Sequence, residues 1–182
     1  MKKIILLSLI SIFATTSFCQ SIYMASSGEI DFFSEAPMEN IEAKNTQVRA
    51  IMNIDKSELA FIVPVIGFKF EKALMEEHFN ENYLESDKYK TAQFKGIFQG
   101  DIDYKNKTTG KYTVRGKGDL TIHGVTQERE FSGEMSVEEG KVILTCKFVV
   151  QLKDYKIKIP KVVVKNIAEE VEVRVNVTFE PK

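Results

Sequence analysis

Between residues 111 and 122, apolar or small residues take every second place. Tyr112, Val114, Gly116, Gly118, Leu120 and Ile122 alternate with Lys111, Thr113, Arg115, Lys117, Asp119 and Thr121. A period of two belongs to a strand with one dry face and one wet face. His123-Gly124 breaks the alternation. A second extended run follows over 125–137, where Phe131, Gly133, Met135 and Val137 share a face. The pattern recurs in Ala92, Phe94, Gly96, Phe98, Gly100, Ile102 and Tyr104, again in Val142, Leu144, Cys146, Phe148, Val150 and Leu152, and finally in Val171, Val173, Val175, Val177 and Phe179.

The first part of the chain is less regular. Residues 21–25 and 29–34 read as short extended runs around a turn at Ser27-Gly28, 38–44 as a helical turn or loop, and 48–54 as a strand. Residues 58–70 are apolar on both faces, which predicts a strand covered on both sides. Pro64 has no ladder N–H, so it marks an edge, a bulge or a strand end. Residues 71–84 are the helical exception. Leu74, Met75, His78 and Phe79 form one stripe, with Glu76, Glu77, Asn80 and Glu81 on the wet side. Short polar links at 106–110 and 138–140 imply hairpins and hence an antiparallel sheet. About eight strands in one domain predict a mainly β protein, a closed antiparallel barrel or a sandwich, with a short helix near one end.

Large and absent side chains share the expected inner face. Gly96, Gly116 and Gly118 fall on the same side as Phe94, Phe98, Tyr112, Val114 and Leu120, with Leu144, Phe148 and Val175 on the inner faces of later strands. Inward glycines either leave a gap between aromatic walls or mark the bends a small barrel requires. A gap lined this way suits a long hydrocarbon better than a sugar or nucleotide. The same period would serve a membrane barrel with its apolar face outward. The absence of Trp and the helical interruption favour an apolar lumen instead.

The opening residues carry a targeting signal. Lys2 and Lys3 precede an apolar run over 4–14, and Ser17-Phe18-Cys19 precedes a cleavage point before Gln20. This predicts a signal peptide over 1–19, a domain over 20–182, and export to a periplasm or the outside. The alternative is a lipoprotein anchored at Cys19; the bulky Phe18 argues against it. The apolar run over 4–14 is too short to span a bilayer comfortably, and no transmembrane segment is expected in the mature chain. Once Cys19 is removed, Cys146 stands alone and no internal disulfide forms. The full chain has net charge −1, which gives no ground for nucleic acid as a partner. The sequence allows a homodimer.

Catalytic chemistry is sparse. The chain has two histidines, His78 and His123, with no spacing of the His-Glu-x-x-His kind, so no metal is expected. His78 reads as a helix residue against the barrel rim. His123 reads as a turn residue bonded to nearby backbone, or as a contact for a ligand head. Asp154 and Tyr155 fall at a strand end near the lumen mouth. No catalytic residue or cofactor is expected. Two rivals remain: a small lipid- or quinone-modifying enzyme using His123, Asp154 and Tyr155, and an interaction module with a filled core that binds through 58–70.

A family resemblance gathers these pieces. Gly28-Glu29-Ile30-Asp31-Phe32, the run 75–89, Phe94-Lys95-Gly96, Leu120-Thr121-Ile122-His123-Gly124-Val125-Thr126, and Asp154-Tyr155 leading to Pro160 stand in the order of the YceI-like polyisoprenoid-binding family. Lys90 replaces a frequent proline, and 161–167 matches loosely. The resemblance implies a lipocalin-like antiparallel barrel that holds a polyisoprenoid, quinone tail or fatty-acyl chain in its lumen. It implies a carrier rather than an enzyme, with largely hydrophobic binding that carries over few polar site residues; His123, Asp154 and Tyr155 are expected as polar contacts at the mouth from their own positions in the chain.

Overall fold

The computed structural model describes residues 22–35, 40–100, 109–159 and 168–182. The expected signal segment with Cys19, and the stretches holding Ile102, Tyr104, Pro160 and 161–167, lie outside the described residues. In chain order the elements are β1 (Ile22–Ser34), β2 (Ile41–Asn45), β3 (Arg49–Asn53), β4 (Glu58–Pro64), β5 (Lys69–Phe70), α1 (Ala73–His78), β6 (Thr91–Gln99), β7 (Gly110–Ile122), β8 (Val125–Glu138), β9 (Lys141–Gln151) and β10 (Glu170–Pro181). Eight of them close a barrel in the order β1-β3-β4-β6-β7-β8-β9-β10, with β10 returning to β1 and every pairing antiparallel. The strands β2 and β5 continue the sheet beside the second half of β1.

Two expected short runs are in fact one strand. The register of β1 on β10 shifts between Ala25 and Ser27. The expected turn at Ser27-Gly28 is therefore a bulge, which bends the strand without ending it. Later hairpins are tighter. His123-Gly124 and Glu139-Gly140 are two-residue loops with both residues at positive φ, 50° and 71° in the first, 50° and 80° in the second. That backbone matches the twist of the strands on either side.

The segment 58–70 also divides. Pro64 ends β4, a 3-10 turn covers Val65–Gly67, and only Lys69–Phe70 is extended again. Its outer face is bare, with Ile62 47% and Ile66 57% exposed, so the strand is covered on one side only. The helix starts at Ala73 and passes into a π turn over Phe79–Tyr83. Leu74 leaves the expected stripe and is 60% exposed.

The barrel has a sealed lower end and a capped upper one. Below, the β3–β4 and β8–β9 hairpins surround a core in which Met52, Met135, Val177 and Phe179 are wholly buried. Above, the π turn that follows α1 and the 3-10 turn Leu152–Tyr155 pack on the strand ends.

Of the two readings offered for the inward glycines, room or bend, Gly96 and Gly118 follow the bend and do not border the lumen. They stand opposite each other on β6 and β7. A Cβ on Gly96 would meet the Lys117 carbonyl at 2.3 Å, and one on Gly118 would lie 2.4 Å from the Gly96 Cα. These glycines let two backbones approach, which is the bend reading. Gly118→Val should therefore destabilise the fold by about 2–3 kcal/mol through overpacking, read as a lower urea midpoint.

Candidate functional site

The alternation of strands five to fourteen residues long turns one row of side chains inward from each wall, and closure gives those rows a common interior. They do not fill it. A cavity of about 690 Å³ remains in the upper part of the barrel, within the range of roughly 300–1,000 Å³ typical of small-molecule sites. Among the described residues no Asp, Glu, Lys or Arg lines it.

Of the residues expected on the inner face, Phe94, Phe98, Val114, Gly116, Leu120, Leu144, Phe148 and Val175 border this cavity. Tyr112 packs against the lower core instead, below the open space. Gly116 differs from Gly96 and Gly118, because a Cβ there would meet nothing closer than the Ile97 carbonyl at 3.9 Å.

The cavity also has walls that sequence reasoning did not assign to the site. Ile30 and Phe32 contribute from β1, Phe61 and Val63 from β4, and Phe131 and Gly133 from β8. Their alternation was visible, but which strands adjoin which was not. The cap was harder to foresee. Phe32, Phe68, Phe70 and Phe79 meet with ring centroids 5.0–5.8 Å apart. Such ring pairs add about 0.5–1.5 kcal/mol each beyond the area they bury. The exposed His78 reaches the cavity rim from α1.

His123 fastens this cap. Its Nε2 lies 2.7 Å from Glu85 Oε2, just after the π turn, and its Nδ1 lies 3.1 Å from the Tyr155 carbonyl. The carbonyl can only accept, so Nδ1 carries its hydrogen. Tyr89 packs edge-on to the imidazole at 4.4 Å, and a Cβ on Gly124 would strike that tyrosine at 2.4 Å. The His-Gly pair is thus a joint between hairpin, helix end and 3-10 turn.

The three polar residues expected at the mouth do not form one reactive group. His123 meets the backbone of Tyr155, not its phenol. The Asp154 carbonyl accepts from Gln127 Nε2 at 3.2 Å. Tyr155 is wholly buried, and burial raises the pKa of its phenol, against an opposing pull from Arg129. Cys146 borders the lumen, where burial likewise raises its thiol pKa. Among the described residues no three His, Cys, Asp or Glu side chains converge on a metal site, and no helix is long and apolar enough to cross a membrane.

One wall is incomplete. The ladder between β8 and β9 runs from Glu138↔Lys141 up to Gly133↔Cys146 and stops. On their other sides both strands stay paired to the top, β8 with β7 and β9 with β10. Side chains bridge the gap: Cys146 Sγ donates to the Ser132 carbonyl at 3.4 Å and Arg129 Nη2 to the Val149 carbonyl at 2.8 Å.

The His123 joint makes a testable demand. His123→Ala removes two hydrogen bonds, together worth about 1–3 kcal/mol. Amide exchange across 79–89 should quicken by about tenfold or more, with exchange in the lower core unchanged.

Comparison with known proteins places this geometry. Residues 24–179 match the YceI-like domain. No curated protein matches the chain. Among solved structures, a polyisoprenoid binding domain from Saccharophagus degradans, implicated in plant cell wall breakdown, is similar at TM-score 0.75 and 11% identity, covering 90% of this chain and 99% of that one. Burkholderia cenocepacia BcnA is similar at TM-score 0.69 and 12% identity, covering 83% and 95%. A Campylobacter jejuni YCEI protein that crystallizes with large solvent channels is similar at TM-score 0.62 and 14% identity, covering 81% and 90%. At these identities the shared property is the fold.

Proposed function

The chain belongs to the YceI-like family, and on that premise we propose that it is an exported carrier holding one long apolar chain in its barrel. The occupant is a polyisoprenoid, a quinone tail or a fatty-acyl chain. The observation that carries this reading is the cavity of about 690 Å³ whose lining, among the described residues, has no Asp, Glu, Lys or Arg. The name of the Saccharophagus degradans domain supports the same ligand class. The basic start and apolar run over 4–14 support export.

Magnitudes favour long chains. Each buried methylene contributes about 0.8 kcal/mol, while association costs roughly 4–15 kcal/mol. Ten methylenes, at about 8 kcal/mol, only reach the middle of that cost. Tight retention therefore requires more of the lumen to be filled, and it requires no polar partner.

The rival readings have less support. A filled-core interaction module is difficult to reconcile with a cavity of this size. A lipid-modifying enzyme would need His123, Asp154 and Tyr155 to act together, whereas both His123 nitrogens already hold the cap. Binding, not catalysis, is the activity proposed.

Native mass spectrometry of the purified protein, followed by organic extraction, should release a long-chain lipid at near-equal stoichiometry. In a homologous series of added ligands, affinity should rise by about fourfold per methylene until the lumen is full. Gly116→Leu should fold normally and bind long chains at least about tenfold more weakly, because its side chain would occupy the open space beside Ile97. Undiminished binding in that variant would remove the lumen as the site.

A further inference from the structure

A chain lying in the lumen must leave its polar head somewhere, and the described residues offer three places. The lower end is closed by fully buried Met52, Met135, Val177 and Phe179. The upper end is covered by the four-phenylalanine cluster and pinned by His123. The third place is the seam between β8 and β9, where the ladder stops at Gly133↔Cys146.

At the seam the apolar lining reaches a polar surface. Phe131 and Phe148, both bordering the cavity, lie with ring centroids 4.6 Å apart on the two sides of the gap. Directly above Phe131 in the inward alternation of β8 comes Arg129. A charged residue is out of place in that row, since Phe131, Gly133 and Met135 continue it below. Opposite Arg129 on β7 stands Gly118, which puts no side chain beside the guanidinium.

The surroundings of Arg129 leave most of its bonding capacity unused. Its hydrogen bond goes to the Val149 carbonyl, and a guanidinium has five N–H donors. Among the described residues it forms no ion pair with a carboxylate, while Glu128 and Glu130 are both held by Lys117. The Tyr155 phenol oxygen is buried and makes no hydrogen bond of full geometry among the described residues, although the Arg129 guanidinium lies close enough to act on it by charge and by a weak hydrogen-bonding contact. A buried hydroxyl without a partner costs about 1–3 kcal/mol, a deficit that an acceptor arriving at Arg129 could relieve. Above Gly133, the facing edges of β8 and β9 also lack ladder partners toward each other.

We propose that this seam is the head-group site for an anionic amphiphile, with a carboxylate or phosphate held by Arg129 and the tail running past Phe131 and Phe148 into the lumen. The assignment rests on the carrier reading and narrows it. An acidic chain end fits, and a neutral one gains nothing from the guanidinium.

The test uses one long-chain fluorescent polyene acid and its methyl ester, titrated into the full-length protein above neutral pH. The tail is identical and only the charge differs. The wild-type protein should bind the acid about tenfold or more tightly than the ester, the ratio expected of a charge-assisted hydrogen bond. Arg129→Met should abolish that preference while its ester affinity stays within about twofold, which also reports an intact lumen. Arg129→Lys should keep a measurable part of the preference. Ester binding by the wild type without preference for the acid, or a preference that survives Arg129→Met, overturns the head-group site alone. Failure of the wild type to bind either probe overturns the carrier reading and this site with it.

Discussion

Closure between the first and last strands is the constraint on which the remaining structure depends. The ladder runs from Tyr23↔Pro181 to Phe33↔Glu172. Without it the sheet would have two long free edges, and its inner face would be open to water on one side. With it, each strand's alternation becomes an inside and an outside. Side chains reinforce the junction. Arg174 on β10 contacts Asp31 on β1 at 2.8 Å and reaches on to Glu42 on β2 at 2.9 Å. Asp31 is the least exposed member of this group, so its pairing is the part best shielded from solvent screening.

The lumen is a compromise between approach and room. Gly96 and Gly118 draw β6 and β7 together, while Gly116, two residues away, leaves space. Glycines on one face of one hairpin therefore do opposite things, and the local register decides which. At Gly96 the opposing residue is another glycine, so the backbones touch. At Gly116 the opposing residue is Phe98, whose side chain stands away from the backbone and leaves the gap beside it.

These distinctions mark the limit of what the residues alone disclose. Strand existence was legible because a period of two is strong over runs as long as 111–122. The helix was legible in position but not in packing, since Leu74 matched its stripe and yet faces water. The bulge in β1 was read as a turn because Ser27-Gly28 has turn chemistry, and only pairing with β10 shows the chain continuing. Inward residues could be identified strand by strand. Tyr112 shows why that was insufficient: alternation gives the face but not the height along the barrel, and height separates lumen from sealed core. The seam was invisible for a related reason. Nothing in the alternation of 125–137 or 142–152 says where two strands cease to pair.

The closing ladder also sets the order in which the protein can be made. The strand that seals the barrel, β10, is the last described element to leave the ribosome, and its partner β1 is the first. Until β10 arrives, β1 and β9 are exposed edges and the apolar face that becomes the lumen is wet. Contacts this distant in sequence form slowly, and uncovered edges are where chains adhere to one another. Biogenesis, rather than the finished state, is thus the stage at which this barrel is most vulnerable to aggregation.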